Sequence, residues 1–155
     1  ALTYGIKKAK MKAITRGNAA VLHIAELTPT FYFYFEKTGS GLGNTGGFTG
    51  WLAGATSPNE FVLARMTSRA KERELIVGEW GVFGGSSGTR SKDTIDIQID
   101  KLSGGVYRVK STEPLEPGEY CFFYAGGISA MGALGGGTGN SGKLFDFGIY
   151  NPAEK

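Results

Sequence analysis

Cysteine and histidine are almost absent from this chain of 155 residues, which has one of each. One cysteine cannot form an internal disulfide, and one cysteine with one histidine cannot supply the ligands of a typical zinc site. A hydrolase triad of the Ser–Asp–His order would need a histidine late in the chain, but His23 lies near its start. Cys121 lies in the apolar run Tyr120–Tyr124, where we expect a buried, inert thiol. We therefore predict that the protein is not an enzyme, with no catalytic residues, no metal site and no cofactor.

Long apolar runs and a strong charge imbalance are also absent. No apolar run approaches the ~20 residues that a membrane-spanning helix requires, and the net charge is only +3. The hydrophobic fraction of 41% and the charged fraction of 20% are typical of a globular protein. We predict a single domain over residues 1–155 with no transmembrane segment.

The positive charge is concentrated in residues 1–16, which contain no acid. Such a segment is either a basic arm for nucleic acid or an edge strand with its lysines on one face. Lys8, Lys10 and Lys12 alternate with small or apolar residues, and lysines on an edge strand discourage edge-to-edge pairing. The alternation favours the strand, so we expect no nucleic-acid partner.

Glycine, in contrast, is abundant: the chain has 26 glycines among 155 residues, about 17%, against ~7% in an average protein. The glycines concentrate in three stretches, Gly39–Gly50, Gly84–Gly88 and Gly126–Gly142. Because glycine loses the most backbone entropy on ordering, such stretches are unfavourable in long helices and are typical of turns and loops. We predict three glycine-rich loops.

Three motifs in or beside these loops match nucleotide-binding or catalytic signatures. Gly137–Lys143 matches a phosphate-binding loop, but Leu144 follows where Ser or Thr should bind magnesium. Gly41–Gly46 matches a dinucleotide fingerprint, and Gly84–Gly88 matches the nucleophile elbow of serine hydrolases. Each signature requires a helix directly after the glycines, and no helical pattern follows any of them. We therefore expect no nucleotide binding, and we interpret Gly84–Gly88 as a flexible turn.

Alternating apolar and polar residues recur along the chain and predict strands. In Thr30–Phe35 the phenylalanines occupy one face and Tyr32 and Tyr34 the other. In Thr94–Asp100 three isoleucines alternate with polar residues. Further strands are predicted in the basic first segment and in Val21–Leu27, Val106–Val109, Tyr120–Tyr124 and Leu144–Tyr150. The fold class that these patterns predict is all-β, an antiparallel, Greek-key-like β-sandwich with long glycine-rich loops.

Two local patterns have more specific interpretations. Ser57–Glu60 has the capping-box spacing of a helix start, whereas Phe61–Met66 and Glu74–Gly78 are β-rich and would form a hairpin around Ser68–Arg73. We favour the hairpin, with a short helix as the alternative. Leu115–Tyr120, a turn that leads into a strand, resembles the tyrosine corner of Greek-key sandwiches, whose hydroxyl bonds nearby backbone.

Five short motifs occur in an order that resembles a group of uncharacterised, apparently exported bacterial β-sandwich proteins. The motifs are Ser57–Phe61, Phe83–Gly88, Gly105–Tyr107, Pro117–Tyr120 and Leu144–Gly148. The resemblance covers roughly residues 29–148 and has no catalytic residues attached to it. It implies a bacterial protein located outside the cytoplasm, and the small residue Ala1 at the start is compatible with signal-peptidase processing.

With no chemical apparatus in view, we predict a non-enzymatic, extracytoplasmic structural or self-assembling subunit. It would be a homo-oligomer, filamentous in one possible arrangement. The residues expected at its contacts come from one strand and two glycine-rich loops: Tyr32, Tyr34, Trp51, Gly43, Gly46, Gly136 and Gly139. The alternatives are a small carbohydrate- or protein-binding module that uses loops at one end of the sandwich, and an enzyme with two converging carboxylates.

Overall fold

The computed structural model describes residues 9–35, 57–81, 84–87, 91–124 and 144–150. Within these ranges the chain forms twelve strands, two 3-10 turns at Pro58–Glu60 and Ser91–Asp93, and no α-helix. The strands are β1 (Ala9–Arg16), β2 (His23–Ile24), β3 (Thr30–Tyr34), β4 (Phe61–Arg65), β5 (Thr67–Ser68), β6 (Glu72–Gly81), β7 (Gly84–Ser87), β8 (Thr94–Ile95), β9 (Ile97–Lys101), β10 (Val106–Ser111), β11 (Gly118–Tyr124) and β12 (Leu144–Ile149).

The strands form three sheets, which we call the central, front and back sheets. The central sheet has the order β2-β12-β11-β4-β8, and the front sheet has the order β3-β10-β9. The back sheet has the order β1-β6-β5, with β7 also paired to β6. Of the described pairs, only β2 with β12 is parallel. The predicted all-β, antiparallel fold is confirmed, with one parallel pair that the sequence pattern did not indicate.

The front core fills the space between the front and central sheets. Its buried members are Phe61, Leu63, Val109, Leu115, Tyr120, Phe122, Phe147 and Ile149. Phe31 of the front sheet contacts Phe122 and Phe147 of the central sheet, with ring centroids 4.9 and 4.8 Å away. The phenylalanines of Thr30–Phe35 and the isoleucines of Thr94–Asp100 pack against this core, as their alternation predicted. Since each buried large apolar side chain contributes ~1.5–3 kcal/mol, the front core is a main source of stability.

A smaller back core lies between the central and back sheets. Its buried members are Ala13, Ala64, Met66, Leu75, Cys121 and Phe123. Tyr120 and Phe122 of β11 face the front core, while Cys121 and Phe123 of the same strand face the back core. A strand covered on both faces has a continuous apolar sequence, which accounts for the run Tyr120–Tyr124. The back sheet therefore adds a third layer to the predicted sandwich.

The chain changes sheet at Met66, which separates β4 in the central sheet from β5 in the back sheet. The predicted hairpin between β4 and β6 is therefore wrong: β4 pairs with β11 and β8, whereas β6 pairs with β5. The turn of the observed β5–β6 hairpin has Arg69 N–H donating to the carbonyl of Glu72 at 2.7 Å. The capping box at Ser57–Glu60 is present, but it caps a 3-10 turn of three residues.

The turn before β11 is a tyrosine corner, as predicted. The hydroxyl of Tyr120 donates to the backbone carbonyl of Glu116 at 2.8 Å, and burial raises the pKa of Tyr120. The guanidinium of Arg65 lies 5.8 Å from the Tyr120 ring centroid and donates to the carboxylate of Glu116 at 2.6 Å. These contacts join the turn to β4 and position the start of β11.

Candidate functional site

The strand that carries the predicted interface tyrosines, β3, lies at one edge of the front sheet. Of the described residues, those of β10 and Gly105 pair with its backbone, and none pairs with its other side. Gly105 has a φ of +82° and lies so close to the carbonyl of Phe35 that a Cβ would collide with it. A glycine is therefore required where the chain turns into β10, because it lets the backbone at the end of β3 approach the backbone of Gly105 closely.

The hydrogen-bond pattern shows which backbone groups of β3 point outward. Phe35 N–H donates to the carbonyl of Gly105 at 2.9 Å, which identifies a hydrogen-bonded pair of the β3–β10 ladder. In an antiparallel pair, alternate residues bond to the partner, so Phe33 and Phe31 also bond to β10. The N–H and C=O groups of Thr30, Tyr32 and Tyr34 consequently point away from β10, towards the side of β3 that no described residue pairs with.

The side chains of Tyr32 and Tyr34 lie on the outer face of the front sheet and are 52% and 75% exposed. Their neighbours Phe31 and Phe33 pack against the front core. The predicted division of this strand into a core face and an exposed tyrosine face is therefore correct. The two tyrosines and the outward backbone groups of β3 form what we call the tyrosine edge.

On the outer face, Arg108 and Asp100 are paired with each other within the sheet. Arg108 lies opposite Tyr32 on β10 and donates from Nε and a terminal nitrogen to Asp100 Oδ2 at 3.2 and 3.0 Å. Hydrogen bonds from Gln98 and Arg108 lower the pKa of Asp100. The segment Thr30–Tyr34 itself has no charged side chain, so the tyrosine edge is electrically neutral.

The other predicted contact residues are not among those that the structure describes. Trp51, Gly43 and Gly46 fall in the interval 36–56, and Gly136 and Gly139 fall in the interval 125–143. The phosphate-loop and dinucleotide motifs lie in the same two intervals. Of the seven predicted interface residues, the described part of the chain therefore brings together Tyr32 and Tyr34.

Four of the five residues of the serine-hydrolase motif, Gly84–Ser87, lie in a strand. Gly84–Ser87 is β7, and Ser86 lies opposite Glu79 of β6. The prediction of a flexible turn at this place is wrong for these four residues, because a partner strand supplies backbone hydrogen bonds to a segment with little propensity of its own. A serine in a regular ladder is also unlike the strained strand-to-helix turn of a nucleophile elbow.

A buried ionic cluster, which we call the Arg73 cluster, lies between the back and central sheets. The side chain of Arg73 is only 3% exposed and donates to Glu119 Oε2 at 3.1 Å and to Asp146 Oδ2 at 2.6 Å. It also donates to the backbone carbonyls of Gly17 at 3.0 Å and Arg16 at 3.3 Å. One guanidinium thus joins three strands and the turn after β1.

Glu119 completes the cluster, because both of its carboxylate oxygens accept hydrogen bonds. Oε2 accepts from the backbone N–H of Ala20 at 2.8 Å, and Oε1 accepts from the hydroxyl of Tyr150 at 2.6 Å. That hydrogen bond raises the pKa of Tyr150. A Cβ at Gly148 would collide with the Tyr150 ring, so the small residue makes room for this contact. Each oxygen of Glu119 already has a donor, which is the arrangement of a structural group and unlike that of a general base.

The charged segment Ser68–Arg73 predicted a hairpin loop, so the buried position of Arg73 was not expected. A signal was present: Arg73 and Leu75 are two positions apart in a strand, so they share a face, and Leu75 belongs to the back core. Glu119 likewise shares a face with Cys121 and Phe123 of β11. A charged residue at a core position in each of two strands indicates an ion pair between their sheets. This inference requires knowing that the two sheets pack against each other.

The remaining reactive side chains have simpler environments. Cys121 is fully buried, and burial raises its pKa to about 12, which agrees with the predicted inert thiol. His23 is exposed, and its ring centroid lies 4.3 Å from that of Tyr150. The described part of the chain contains no group of three or more His, Cys, Asp or Glu residues placed to bind a metal. Nor do the described residues include a helix long and apolar enough to cross a bilayer.

Comparison with known proteins gives no relative: no protein-family profile, no curated protein and no solved structure matches this chain. A functional proposal therefore depends on the geometry of the tyrosine edge.

Proposed function

We propose that this protein is a non-enzymatic structural subunit that associates with further copies of itself through the tyrosine edge. The observation that carries the proposal is the combination of outward-pointing backbone groups with the exposed side chains of Tyr32 and Tyr34 on one uncharged strand. Unpaired strand edges bind other strands unless charge, proline, bulges or covering elements prevent it. Exposed aromatic side chains add apolar area to such a contact.

The other long edge strands of the described sheets carry charges that oppose pairing. β1, at the edge of the back sheet, includes Lys10, Lys12 and Arg16, and its ladder has a bulge between Met11 and Lys12. β9, at the far edge of the front sheet, ends in Asp100 and Lys101. Among the described edge strands β3 is the longest without a charged residue. This contrast supports β3 as the edge used for assembly.

We place this subunit outside the cytoplasm, as a secreted, periplasmic or surface protein. The support is the resemblance of the five ordered motifs to apparently exported bacterial proteins. Tyr32 and Tyr34 would contact another copy either around a two-fold axis, which gives a dimer, or through a contact that does not close, which gives a filament.

Sedimentation velocity over a range of concentrations tests the proposal. Wild type should associate as concentration rises, and the Tyr32→Ser/Tyr34→Ser variant should stay monomeric over the same range. The matched control is Ile14→Ser/Leu22→Ser, since these apolar side chains are exposed to a similar extent, 46% and 55%, elsewhere on the molecule. A wild type that remains monomeric at the highest concentration, or a tyrosine variant that associates as well as wild type, would contradict the proposal.

One observation favours a second function, a carbohydrate-binding module. Tyr32 lies opposite Arg108 on the outer face of the front sheet, and both Arg108 and Gln98 donate to Asp100 of β9, so an exposed aromatic side chain borders several hydrogen-bonding groups. Binding sites combine apolar surface with a few polar groups in this manner. A glycan array tests this function: binding that Tyr32→Ser abolishes, in a protein that stays monomeric, would favour the binding module over the structural subunit.

A further inference from the structure

The tyrosine edge is complementary to itself. Resting on the proposed self-association, we infer that two copies pair their β3 strands antiparallel, with Tyr32 of one copy opposite Tyr32 of the other. The two front sheets then form one continuous six-stranded sheet in the order β9-β10-β3-β3-β10-β9.

The position of the two-fold axis follows from the outward backbone groups. Thr30, Tyr32 and Tyr34 present their N–H and C=O groups to the edge, and these three residues are evenly spaced around Tyr32. An antiparallel pairing centred on Tyr32 sets Thr30 of each copy opposite Tyr34 of the other. All three residues then form hydrogen-bonded pairs, about six bonds in total. A pairing centred on any other residue of β3 leaves some of these groups unpaired.

The side chains and charges are compatible with this register. A two-fold axis perpendicular to the sheet keeps both tyrosine faces on one side and brings Phe31 opposite Phe33 of the second copy on the other side. No charged side chain of Thr30–Tyr34 meets its own copy, because the strand has none, and Arg108 one strand away is already paired with Asp100. The pairing therefore brings no like charges directly opposite each other.

The size of the contact sets its expected strength. A pair of five-residue strands buries less than the ~800 Å² per partner of a standard stable interface. We therefore expect a dimer that dissociates on dilution, which must be measured up to high protein concentration. Because a two-fold contact closes on itself, growth beyond a dimer would require a second contact elsewhere on the molecule.

The variant Tyr32→Pro tests strand pairing directly. It removes the outward N–H of residue 32 but leaves the ladder to β10 intact, since proline is tolerated where the N–H of an edge strand faces outward. Compared with Tyr32→Ser, which lacks the same side chain, Tyr32→Pro loses two further hydrogen bonds at the dimer centre, so its dimer dissociation constant should be about 30-fold higher. The matched control is Lys101→Pro, which removes an outward N–H at the opposite edge of the same sheet and should leave association unchanged. Circular dichroism and thermal unfolding verify that both variants fold.

The results separate this inference from the proposed function. If Tyr32→Ser/Tyr34→Ser loses association while Tyr32→Pro keeps it, self-association stands but pairing through the strand edge is wrong. If wild type never associates, the proposed function fails and the inference with it. If Tyr32→Pro associates more weakly than Tyr32→Ser and Lys101→Pro associates like wild type, the strand pairing is supported.

Disulfide cross-linking tests the register without relying on a proline variant. Tyr32→Cys should form a covalent dimer under mild oxidation, because the Cα atoms of a hydrogen-bonded antiparallel pair lie about 5.5 Å apart, within disulfide reach. Tyr34→Cys should not, since its two copies would lie about 13 Å apart along the strands. Native Cys121 is fully buried, so wild type provides the unreactive control. Equal cross-linking of the two variants would overturn the Tyr32-centred register.

Discussion

The two cores on either side of the central sheet are built by different means. The front core is a large group of aromatic and branched aliphatic side chains, with phenylalanine rings in edge-on and tilted contacts across the sheets. The back core is small and includes two alanines, and the Arg73 cluster lies between the same two sheets. The front layer is therefore held by buried apolar area, whereas the back layer also depends on one buried charge and its partners. We expect the two layers to respond differently to the same kind of substitution.

The largest expected difference concerns charge. Arg73→Met should lower the free energy of unfolding by about 3–5 kcal/mol, because it leaves the buried carboxylate of Glu119 without its cation. Arg108→Met removes an exposed partner of Asp100 and should cost much less, because solvent screens this ion pair. Urea unfolding monitored by fluorescence measures both. Similar losses in the two variants would show that the Arg73 cluster contributes no more than a surface ion pair.

A smaller difference is expected for apolar truncation. Leu63 in the front core and Leu75 in the back core are each 1% exposed, so they lose the same atoms from equal burial when changed to alanine. Leu63→Ala should cost about 3–5 kcal/mol, because stiff rings surround the cavity. Leu75→Ala should cost about 2–3 kcal/mol, because flexible Met66 can partly refill it. Urea unfolding of both variants measures the difference, and a larger loss for Leu75→Ala would reverse the comparison.

The smallest expected effect is a dependence of stability on alkaline pH. The pKa of Cys121 in the back core is raised to about 12, whereas an unfolded thiol titrates near ~8.5. The folded state therefore holds this proton more tightly, and stability should be unaffected below pH ~8.5 and fall as pH rises towards 12. The slope from one group is at most about 1.4 kcal/mol per pH unit. Between pH 8 and pH 9.5, below the usual titration of tyrosine, the stability of Cys121→Ala should fall less steeply with pH than that of wild type. Equal slopes in the two proteins would contradict a raised pKa at Cys121.

Local sequence patterns predicted those features of the fold that depend on a single strand or turn. Thr30–Phe35 alternates, and its phenylalanines do face the core while Tyr32 and Tyr34 are exposed. The tyrosine corner at Tyr120 was predicted for the same reason, because its hydrogen bond spans only four residues. Such features need no knowledge of which strands lie side by side.

The features that the sequence did not predict depend on contacts between distant segments. The change of sheet at Met66 separates β4 from β6, although both segments are β-rich and close in sequence. Arg73 was predicted in a loop, because its ion-pair partners Glu119 and Asp146 are distant in sequence and give no local signal. Within the candidate site, the exposure of the two tyrosines was predictable from alternation and the lack of charge from the composition of Thr30–Tyr34. The position of β3 at the edge of the front sheet, in contrast, depends on how all its strands pair.

The parallel pairing of β2 with β12 has a consequence for the order of folding. Gly148 lies opposite His23, so β12 joins a segment that is made much earlier in synthesis. Until β12 has left the ribosome, β11 lacks its neighbour on one side and Arg73 lacks Asp146. Sheets dominated by such long-range pairs fold in milliseconds to seconds, because loop closure precedes the gain from contacts. The central sheet is thus completed only once Leu144–Ile149 has been made, and a nascent chain that stops before Leu144 should lack a protease-resistant core.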